Sequence, residues 1–293
     1  MRALLIALVV LIVVFFVFVL GIGVGFFLSG DSGFGVGERV AVLTIEDLIL
    51  DSKDYLESLY KISKDDSIKA VVIRINSPGG AVGPSQEIYS EIKDLSEIKP
   101  VVASIGTVGA SGGYYIACAA DKIFANPGSI TGSIGVVAQF VSYEKLLEWA
   151  KLDVEVIKSG EYKDVGSPLR KMTAPERDYI QGLIDDVHMQ FIGAVSRERE
   201  LTIEEVNKIA DGRIFTGEQA AKLKLIDELG TLSDAIDEAG ALGGIEAEPE
   251  VEYYPKERYR FFDLFADKIN IPGLSRMPQR KAFGLFYLVD IIQ

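Results

Sequence analysis

Cysteine and histidine are almost absent from this sequence of 293 residues. The single cysteine, Cys118, excludes an internal disulfide and any C-x-x-C metal site. The single histidine, His188, excludes a zinc centre built from several histidines. An excess of basic residues is also missing, because the net charge is −13. No basic stripe can neutralise phosphates, so we expect no nucleic-acid partner.

The N-terminal segment has no charged residue over positions 3–30, where Leu, Val, Ile and Phe dominate. Twenty such residues, at about 1.5 Å per residue, already span a hydrocarbon core of ~30 Å. The run is longer than the roughly 7–15 apolar residues of a cleaved signal peptide, and no A-x-A-like site follows it. We therefore expect residues 1–30 to form an uncleaved transmembrane anchor. Residues 3–28 would contact the lipid bilayer, and residues 31–37 would form a linker.

The charges on either side of this segment predict its orientation. Arg2 and the amino terminus precede it, whereas Asp31 and Glu38 follow it. Positive charges are retained on the cytoplasmic side of a membrane. We therefore expect a single-pass protein of the cell membrane, with a cytoplasmic N-terminus and an extracytoplasmic main domain.

From Glu38 onward, apolar strand patterns alternate with helix patterns. This alternation predicts a mixed α/β domain with a largely parallel sheet, which we assign to residues 38–244. The predicted strands include residues 134–139 and 154–158, and a long helix is predicted over residues 174–199.

The composition changes after residue 244. Alternating glutamates are followed by aromatic residues, a basic cluster and a final apolar run, AFGLFYLVDII. This run is too short to span a bilayer. Residues 245–293 are therefore treated as a C-terminal tail with three open placements: on its own domain, on a neighbouring subunit or at the membrane surface.

A strand pattern passes into a helix pattern within VVASIGTVGASGGYYIACAAD, residues 101–121. Ser111 stands at the junction, with glycine or alanine on both sides, so its hydroxyl can be approached closely. A helix N-terminus also favours negative charge through its free N–H groups. Two interpretations are open: Ser111 is an activated nucleophile, or it caps a helix in a glycine-rich turn.

A second glycine-rich turn follows another apolar strand, in INSPGG at residues 75–80. Gly79 and Gly80 can expose backbone N–H groups with no side chain in the way. The carboxyl ends of parallel strands lie at one edge of a sheet, so both turns are expected there. One N–H from Gly79 or Gly80 and one from Gly112 would form an oxyanion hole. An ordinary tight turn is the alternative.

A nucleophilic serine needs a proton acceptor within hydrogen-bonding reach. His188 is the only imidazole, but it lies within a helix pattern and no carboxylate partner can be inferred for it. A lysine can serve when it is neutral, which requires its pKa to fall by roughly three units from ~10.4 through burial. Lys163 is one candidate, although the composition does not select it from the other lysines.

Several motifs in a fixed order resemble the membrane-anchored signal peptide peptidase A family. They are INSPGG, VGASGGYYIACAAD, TGSIGV, KSGEYKDVGSPLRKMT and GRIFTGEQAAKLKLIDELG, which together cover about residues 40–230. The resemblance implies a Clp protease/crotonase-like fold with a core of repeated ββα units, an N-terminal transmembrane helix and extra C-terminal helices. It also implies a serine endopeptidase with a Ser–Lys dyad, and neither a cofactor nor a metal ion.

The resemblance assigns roles to residues that match the family motifs by position. Ser111 corresponds to the nucleophile, Lys163 to the general base, and Ser133 to the hydroxyl that orients this lysine. The residues that correspond to the oxyanion donors are Gly79 or Gly80, together with Gly112.

A substrate and an assembly also follow from the resemblance and the expected anchor. A peptidase tethered at the outer leaflet would meet hydrophobic remnants of signal peptides and hydrolyse them through an acyl-enzyme. Family members form dome-shaped rings with the active sites facing an inner chamber, and the shorter members resemble octamers. The resemblance therefore implies a homo-oligomer.

Other functions share parts of this pattern. A related membrane serine peptidase that acts with stomatin-like partners usually differs around the nucleophile, and SGGYY favours the signal peptide peptidase A family. A crotonase-like acyl-thioester binder would lack both the serine–lysine pair and the anchor. A catalytically silent membrane-anchored scaffold remains the alternative from a different class.

Overall fold

The residues that a computed structural model describes are 11–20, 37–255 and 286–288. The chain divides into two compact units, residues 1–37 and residues 38–293. In the first unit, residues 11–20 form an exposed helix, α1. The rest of the expected anchor, and all but the last residue of the expected linker, lie outside the described residues. Within the described ranges, no helix combines the length and apolar character needed to cross a membrane.

The second unit is built from short strands and helices that follow one another along the chain. Its described strands are β1 (Arg39–Glu46), β2 (Ile68–Ser77), β3 (Gly79–Ala81), β4 (Val101–Ala110), β5 (Lys122–Ala125), β6 (Ile130–Gly132), β7 (Ile214–Thr216), β8 (Glu228–Leu229), β9 (Glu250–Tyr254) and β10 (Phe286–Leu288). Its described helices are α2 (Lys53–Lys64), α3 (Val82–Ser96), α4 (Gly112–Ala117), α5 (Glu144–Ala150), α6 (Ala174–Glu198), α7 (Ile203–Asn207), α8 (Gly217–Lys222) and α9 (Leu232–Leu242), with one 3₁₀ turn at Glu161–Asp164.

The main sheet has the strand order β7-β6-β4-β2-β1-β9, and β5 joins it between β4 and β8. Every pairing in this sheet is parallel except that of β6 with β7. A small second sheet pairs β10 with β3 in antiparallel register. The prediction of a mixed α/β domain with a largely parallel sheet is therefore confirmed.

Both faces of the central strands are buried, which explains their continuous apolar runs. In β1, Leu43 and Ile45 point into a large cluster that also holds residues of α2, α3, α4 and α6. Val40 and Val42 point the other way, towards α9. The later helices begin at threonines whose side chains form reciprocal capping boxes. These threonines are Thr173, Thr202, Thr216 and Thr231.

Two of the predicted strands are wrong. Residues 134–139 contain one isolated bridge, at Val137, and residues 154–158 are irregular. The sheet instead takes β6, which ends just before Ser133, where a φ of 50° turns the chain away. Residues 154–158 are exposed, and the side chain of Ile157 is 93% exposed. A short apolar run does not by itself show whether a sheet will receive it.

The described parts of the C-terminal tail pack on the chain's own domain. β9 extends the main sheet beside β1, where Arg39 donates a hydrogen bond to Glu252 at 2.6 Å. β10 pairs with β3.

Candidate active site

Ser111 lies at the corner where β4 ends and α4 begins. Its φ of 53° and ψ of −118° form a conformation that residues other than glycine rarely adopt. The backbone of Ser111 is held on both sides: its N–H donates to the Gly132 carbonyl at 2.8 Å, and its carbonyl accepts from the Tyr115 N–H at 2.8 Å. The hydroxyl is buried and has no hydrogen-bond partner among the described residues. Sharp, strained corners of this kind present nucleophilic serines.

Gly112 and Gly113, which follow Ser111, pack closely against neighbouring segments that include the INSPGG turn. A Cβ on Gly112 would stand 2.7 Å from Ser85 Oγ and 3.2 Å from Gly80 N. A Cβ on Gly113 would stand 2.8 Å from the Ser77 carbonyl oxygen. Contacts of 2.7 Å and 2.8 Å are shorter than a Cβ atom tolerates, so the absence of side chains at Gly112 and Gly113 lets the turn after Ser111 lie this close to α3 and to INSPGG.

Gly79 and Gly80 use their backbone N–H groups differently. The N–H of Gly79 donates to Ser77 Oγ at 3.1 Å. The Gly79 carbonyl and the Ala81 N–H both bond to Ile49, at 3.0 Å and 2.7 Å. Successive residues of a strand direct their polar groups to opposite sides, so the N–H of Gly80 points away from Ile49. Of the two predicted oxyanion donors, Gly80 therefore has the N–H directed towards β10.

β10 lies along this open side of β3. Tyr287 is opposite Gly80 in the antiparallel register, and Phe286 directs both of its backbone polar groups away from β3. The polar groups of Tyr287 therefore face Gly80. A Cβ built on Gly79 would stand 2.2 Å from the Tyr287 carbonyl oxygen and 2.7 Å from Gly112 N. The Tyr287 carbonyl thus lies between the two turns that carry the predicted oxyanion donors.

Ser133 directly follows β6, which pairs with the last residues of β4. It is buried, and its N–H donates to the Arg213 carbonyl at 2.8 Å. The preceding residue, Gly132, accepts the hydrogen bond from the Ser111 N–H. The structure therefore brings Ser133 next to the segment that holds the Ser111 backbone.

Lys163 lies on the 3₁₀ turn at Glu161–Asp164, and its side chain is exposed. The Ser111 hydroxyl makes no hydrogen bond within the described part of the chain, so Lys163 does not donate to it or accept from it. The structure brings Ser111, Ser133 and the glycines together, whereas Lys163 makes no hydrogen bond to the Ser111 hydroxyl among the described residues. The burial that a neutral lysine requires is not provided by the described residues of the single chain, because the Lys163 side chain is exposed.

An ion-pair cluster that the sequence did not predict holds the turn of Lys163. The carboxylate of Asp164 accepts from Lys158 and from Arg170 Nε, the latter at 2.9 Å. Arg170 Nη1 also donates to Glu176 at 2.8 Å, at the start of α6. These hydrogen bonds, first from Arg170 and then from Lys158, hold the pKa of Asp164 well below its ordinary value. The Asp164 carboxylate is thus occupied by residues other than Lys163.

His188 lies in α6, and its Nε2 is buried with no hydrogen-bond partner in the described ranges. The same is true of the Ser111 hydroxyl. The two groups are therefore not hydrogen-bonded to each other, and the imidazole is not positioned as the base for Ser111.

Comparison with known proteins gives the chain a family. The model of Peptidase family S49 matches residues 93–246, and that of Clp protease matches residues 40–131. The chain is 48% identical over 186 residues to "Putative protease slr0021" of Synechocystis sp., an alignment that covers 64% of this chain and 67% of that protein.

Two further relatives extend this similarity. "Putative protease MJ0651" of Methanocaldococcus jannaschii is 40% identical over 214 residues, which cover 73% of this chain and 69% of that protein. "Putative signal peptide peptidase SppA" of Enterococcus faecium is 37% identical over 186 residues, which cover 63% of this chain and 54% of that protein. The resemblance inferred from the motifs is confirmed: the chain belongs to peptidase family S49 and is a serine peptidase of the signal peptide peptidase A family.

Proposed function

We propose that this peptidase is a membrane-anchored endopeptidase that hydrolyses hydrophobic peptides, such as remnants of signal peptides, through a Ser111–Lys163 dyad. The observation that carries the proposal is the corner at Ser111. It combines a strained backbone with a buried hydroxyl that no described residue pairs with, beside the N–H groups of Gly80 and Gly112.

The chemistry proceeds through an acyl-enzyme. Ser111 Oγ attacks the scissile carbonyl carbon while neutral Lys163 takes the hydroxyl proton. The carbonyl oxygen becomes an oxyanion that accepts from the N–H groups of Gly80 and Gly112, and one such donor contributes about 3 kcal/mol to transition-state stabilisation. The C–N bond then breaks, and Lys163 returns the proton to the leaving amine. Water, deprotonated by Lys163, hydrolyses the ester and restores Ser111.

Lys163 has to be neutral for this role, and burial among apolar groups favours the neutral form. Its segment carries many exposed apolar side chains. These side chains are Val141, Tyr143, Leu146, Trp149, Leu152, Val154, Val156, Ile157 and Tyr162. So much exposed apolar surface is typical of an interaction site. Assembly into a homo-oligomer, such as the octameric ring that the family implies, would cover this surface and exclude water from the segment of Lys163.

The expected anchor supports the substrate assignment. Residues 11–20 are helical and entirely apolar, as a membrane anchor over residues 3–28 requires. With the N-terminus in the cytoplasm, the peptidase domain would lie near the outer leaflet. Hydrophobic peptides that leave the membrane would be its nearest substrates.

Covalent labelling of the full chain with a serine-directed fluorophosphonate tests this function. We expect stoichiometric labelling of Ser111 and its loss in Ser111→Ala. The matched control is Ser63→Ala, which removes an exposed serine hydroxyl from α2 and should leave labelling unchanged. Mass spectrometry of synthetic signal peptides should then show cleavage by the wild type but not by Ser111→Ala. Equal labelling of both proteins would contradict the proposal and favour the silent scaffold.

A further inference from the structure

The guanidinium of Arg170 joins the turn of Lys163 to the start of α6. Its Nε donates to Asp164 at 2.9 Å, and its Nη1 donates to Glu176 at 2.8 Å. Nη2 donates to the other carboxylate oxygen of Glu176, so this second pair is bidentate. A planar guanidinium held in this way fixes distance and orientation together, because it cannot rotate without losing a hydrogen bond. The residue directly after Lys163 is thus held at a set position relative to α6.

The acceptor on α6 is itself held in place. Glu176 is buried, and its carboxylate accepts from the Thr173 N–H at 2.8 Å, within the capping box that begins the helix. Hydrogen bonds, first from Arg170 and then from the Thr173 backbone, lower the pKa of Glu176 to about 2. The carboxylate therefore stays ionised at neutral pH, and its position is set by the helix rather than by the turn.

A second contact attaches the other side of the turn. The ring of Tyr162, the residue before Lys163, packs on Tyr179 of α6, with centroids 5.2 Å apart and an interplanar angle of 42°. Tyr179 lies three residues after Glu176, and residues at this spacing share one side of a helix. The residues before and after Lys163 are therefore both attached to the same side of α6.

The remaining hydrogen bonds of this cluster close the turn without engaging the lysine. Lys158 donates to the Asp164 carboxylate and, at 2.7 Å, to the Glu161 carbonyl. Within the part of the chain that the structure describes, the side chain of Lys163 forms no ion pair with these groups. The cluster thus fixes the backbone that carries Lys163 and leaves the amine of this lysine available.

We propose that Arg170 is a positioning residue for catalysis: by tying Asp164 to Glu176, it sets where the amine of Lys163 can lie. The assignment of Lys163 as general base rests on the proposed function, whereas the tether of its turn rests on these contacts alone. A general base acts only within hydrogen-bonding reach, and a misplacement of about 1 Å can cost about a hundredfold in rate. Arg170 acts through the turn and takes no part in proton transfer.

Steady-state cleavage of a synthetic signal peptide by the full chain tests this role. We expect Arg170→Gln to lower kcat about tenfold and to change KM by less than about twofold, because the base is displaced while peptide binding is kept. The rate of Ser111 labelling by a fluorophosphonate should fall by the same factor. The matched control is Lys122→Gln, which should keep its kcat. Lys122 is a cation of similar exposure, 35% against 30%, and it also pairs with two carboxylates. An unchanged kcat in Arg170→Gln would overturn the proposal.

Glu176→Gln separates the tether from the helix cap. A glutamine at this position still accepts from the Thr173 N–H, so the capping box is retained, but it lacks the charge that holds Arg170. We expect kcat to fall by a factor similar to that for Arg170→Gln. The double variant should be no slower than Arg170→Gln, because both changes break the same contact. Losses that multiply in the double variant would contradict the bridge.

Amide hydrogen exchange tests the tether without catalysis. The N–H groups of Val165 and Ser167 donate within the turn, at 3.2 Å and 3.0 Å. In Arg170→Gln we expect both amides to exchange about tenfold faster, whereas Lys122→Gln should leave them unchanged. Unchanged exchange in Arg170→Gln would overturn the tether even if its kcat has fallen. Faster exchange, together with normal turnover by Lys163→Ala, would instead overturn only the proposed function.

Discussion

The N–H of Ser111 donates to the carbonyl of Gly132 at 2.8 Å, which joins the corner after β4 to the end of β6. This bond helps to hold Ser111 at a φ of 53°, a conformation that costs free energy of order 1–3 kcal/mol unless the surroundings enforce it. The same hydrogen bond places Ser133, the residue after Gly132, beside the segment of Ser111. The proposed nucleophile and the hydroxyl proposed to orient its base are therefore positioned by the same backbone contact.

Lys163→Ala should abolish peptide hydrolysis while the domain stays folded. The side chain is exposed in the single chain, so its removal costs little packing, whereas loss of a general base typically costs at least a hundredfold in rate. Peptide cleavage and the melting temperature would be measured together. Lys171→Ala, which removes another exposed lysine near the same turn, is the control and should keep its activity. Near-normal turnover by Lys163→Ala would remove this lysine from the mechanism.

His188→Ala should keep most of the hydrolytic activity, within about threefold of the wild type. Its buried Nε2 finds no partner in the part of the chain that the structure describes, so the substitution breaks no hydrogen bond to Ser111. The assay is kcat/KM on a synthetic signal peptide, with circular dichroism as the check on folding. A loss of several orders of magnitude in a folded protein would favour a histidine-based site.

Gly79→Ala should reduce kcat/KM at least a hundredfold without removing any titratable group. Its φ of 104° disfavours alanine, and the added methyl would stand 2.7 Å from Gly112 N, where an oxyanion is proposed to bind. Gly83→Ala is the matched control, because no described atom lies within 4 Å of its added Cβ and alanine suits a helix. The test is to measure kcat/KM for peptide hydrolysis and the melting temperature of both variants. Full activity in Gly79→Ala would place the oxyanion elsewhere.

Arg170→Gln should lower the melting temperature by a few degrees near pH 7 and by less in acid. Hydrogen bonds, chiefly from Arg170, lower the pKa of Glu176 from 4.5 to about 2. A depressed carboxyl pKa stabilises the fold above the unfolded value, and this stabilisation is lost as the pH falls towards the folded value. The difference between the two proteins should therefore shrink between about pH 4.5 and pH 2. Scanning calorimetry across this range would show it, and a difference independent of pH would contradict the role of the ion pair.

The mixed α/β architecture could be predicted because it depends on local patterns. Parallel strands that are buried on both faces need continuous apolar runs, as in β1, β2 and β4, and these runs are visible in the chain. Residues 154–158 carry similar apolar character but remain exposed, since no strand among the described residues pairs with them. An apolar run in the sequence shows that a segment could be buried. Whether a partner strand is present to pair with it depends on the whole fold.

Some features of the candidate site could be predicted from the sequence, and others depend on the tertiary structure. Glycines around Ser111 and in INSPGG are local requirements of tight turns and close approach, so the sequence by itself determined where these two turns would be and which glycines are proposed as oxyanion donors. Only the tertiary structure decided that the N–H of Gly80, not that of Gly79, faces an incoming strand, because this depends on the pairing with Ile49. The stacking of Tyr287 on Tyr115 could likewise not be predicted, since these residues are distant in the chain and meet only through the register of β10 on β3.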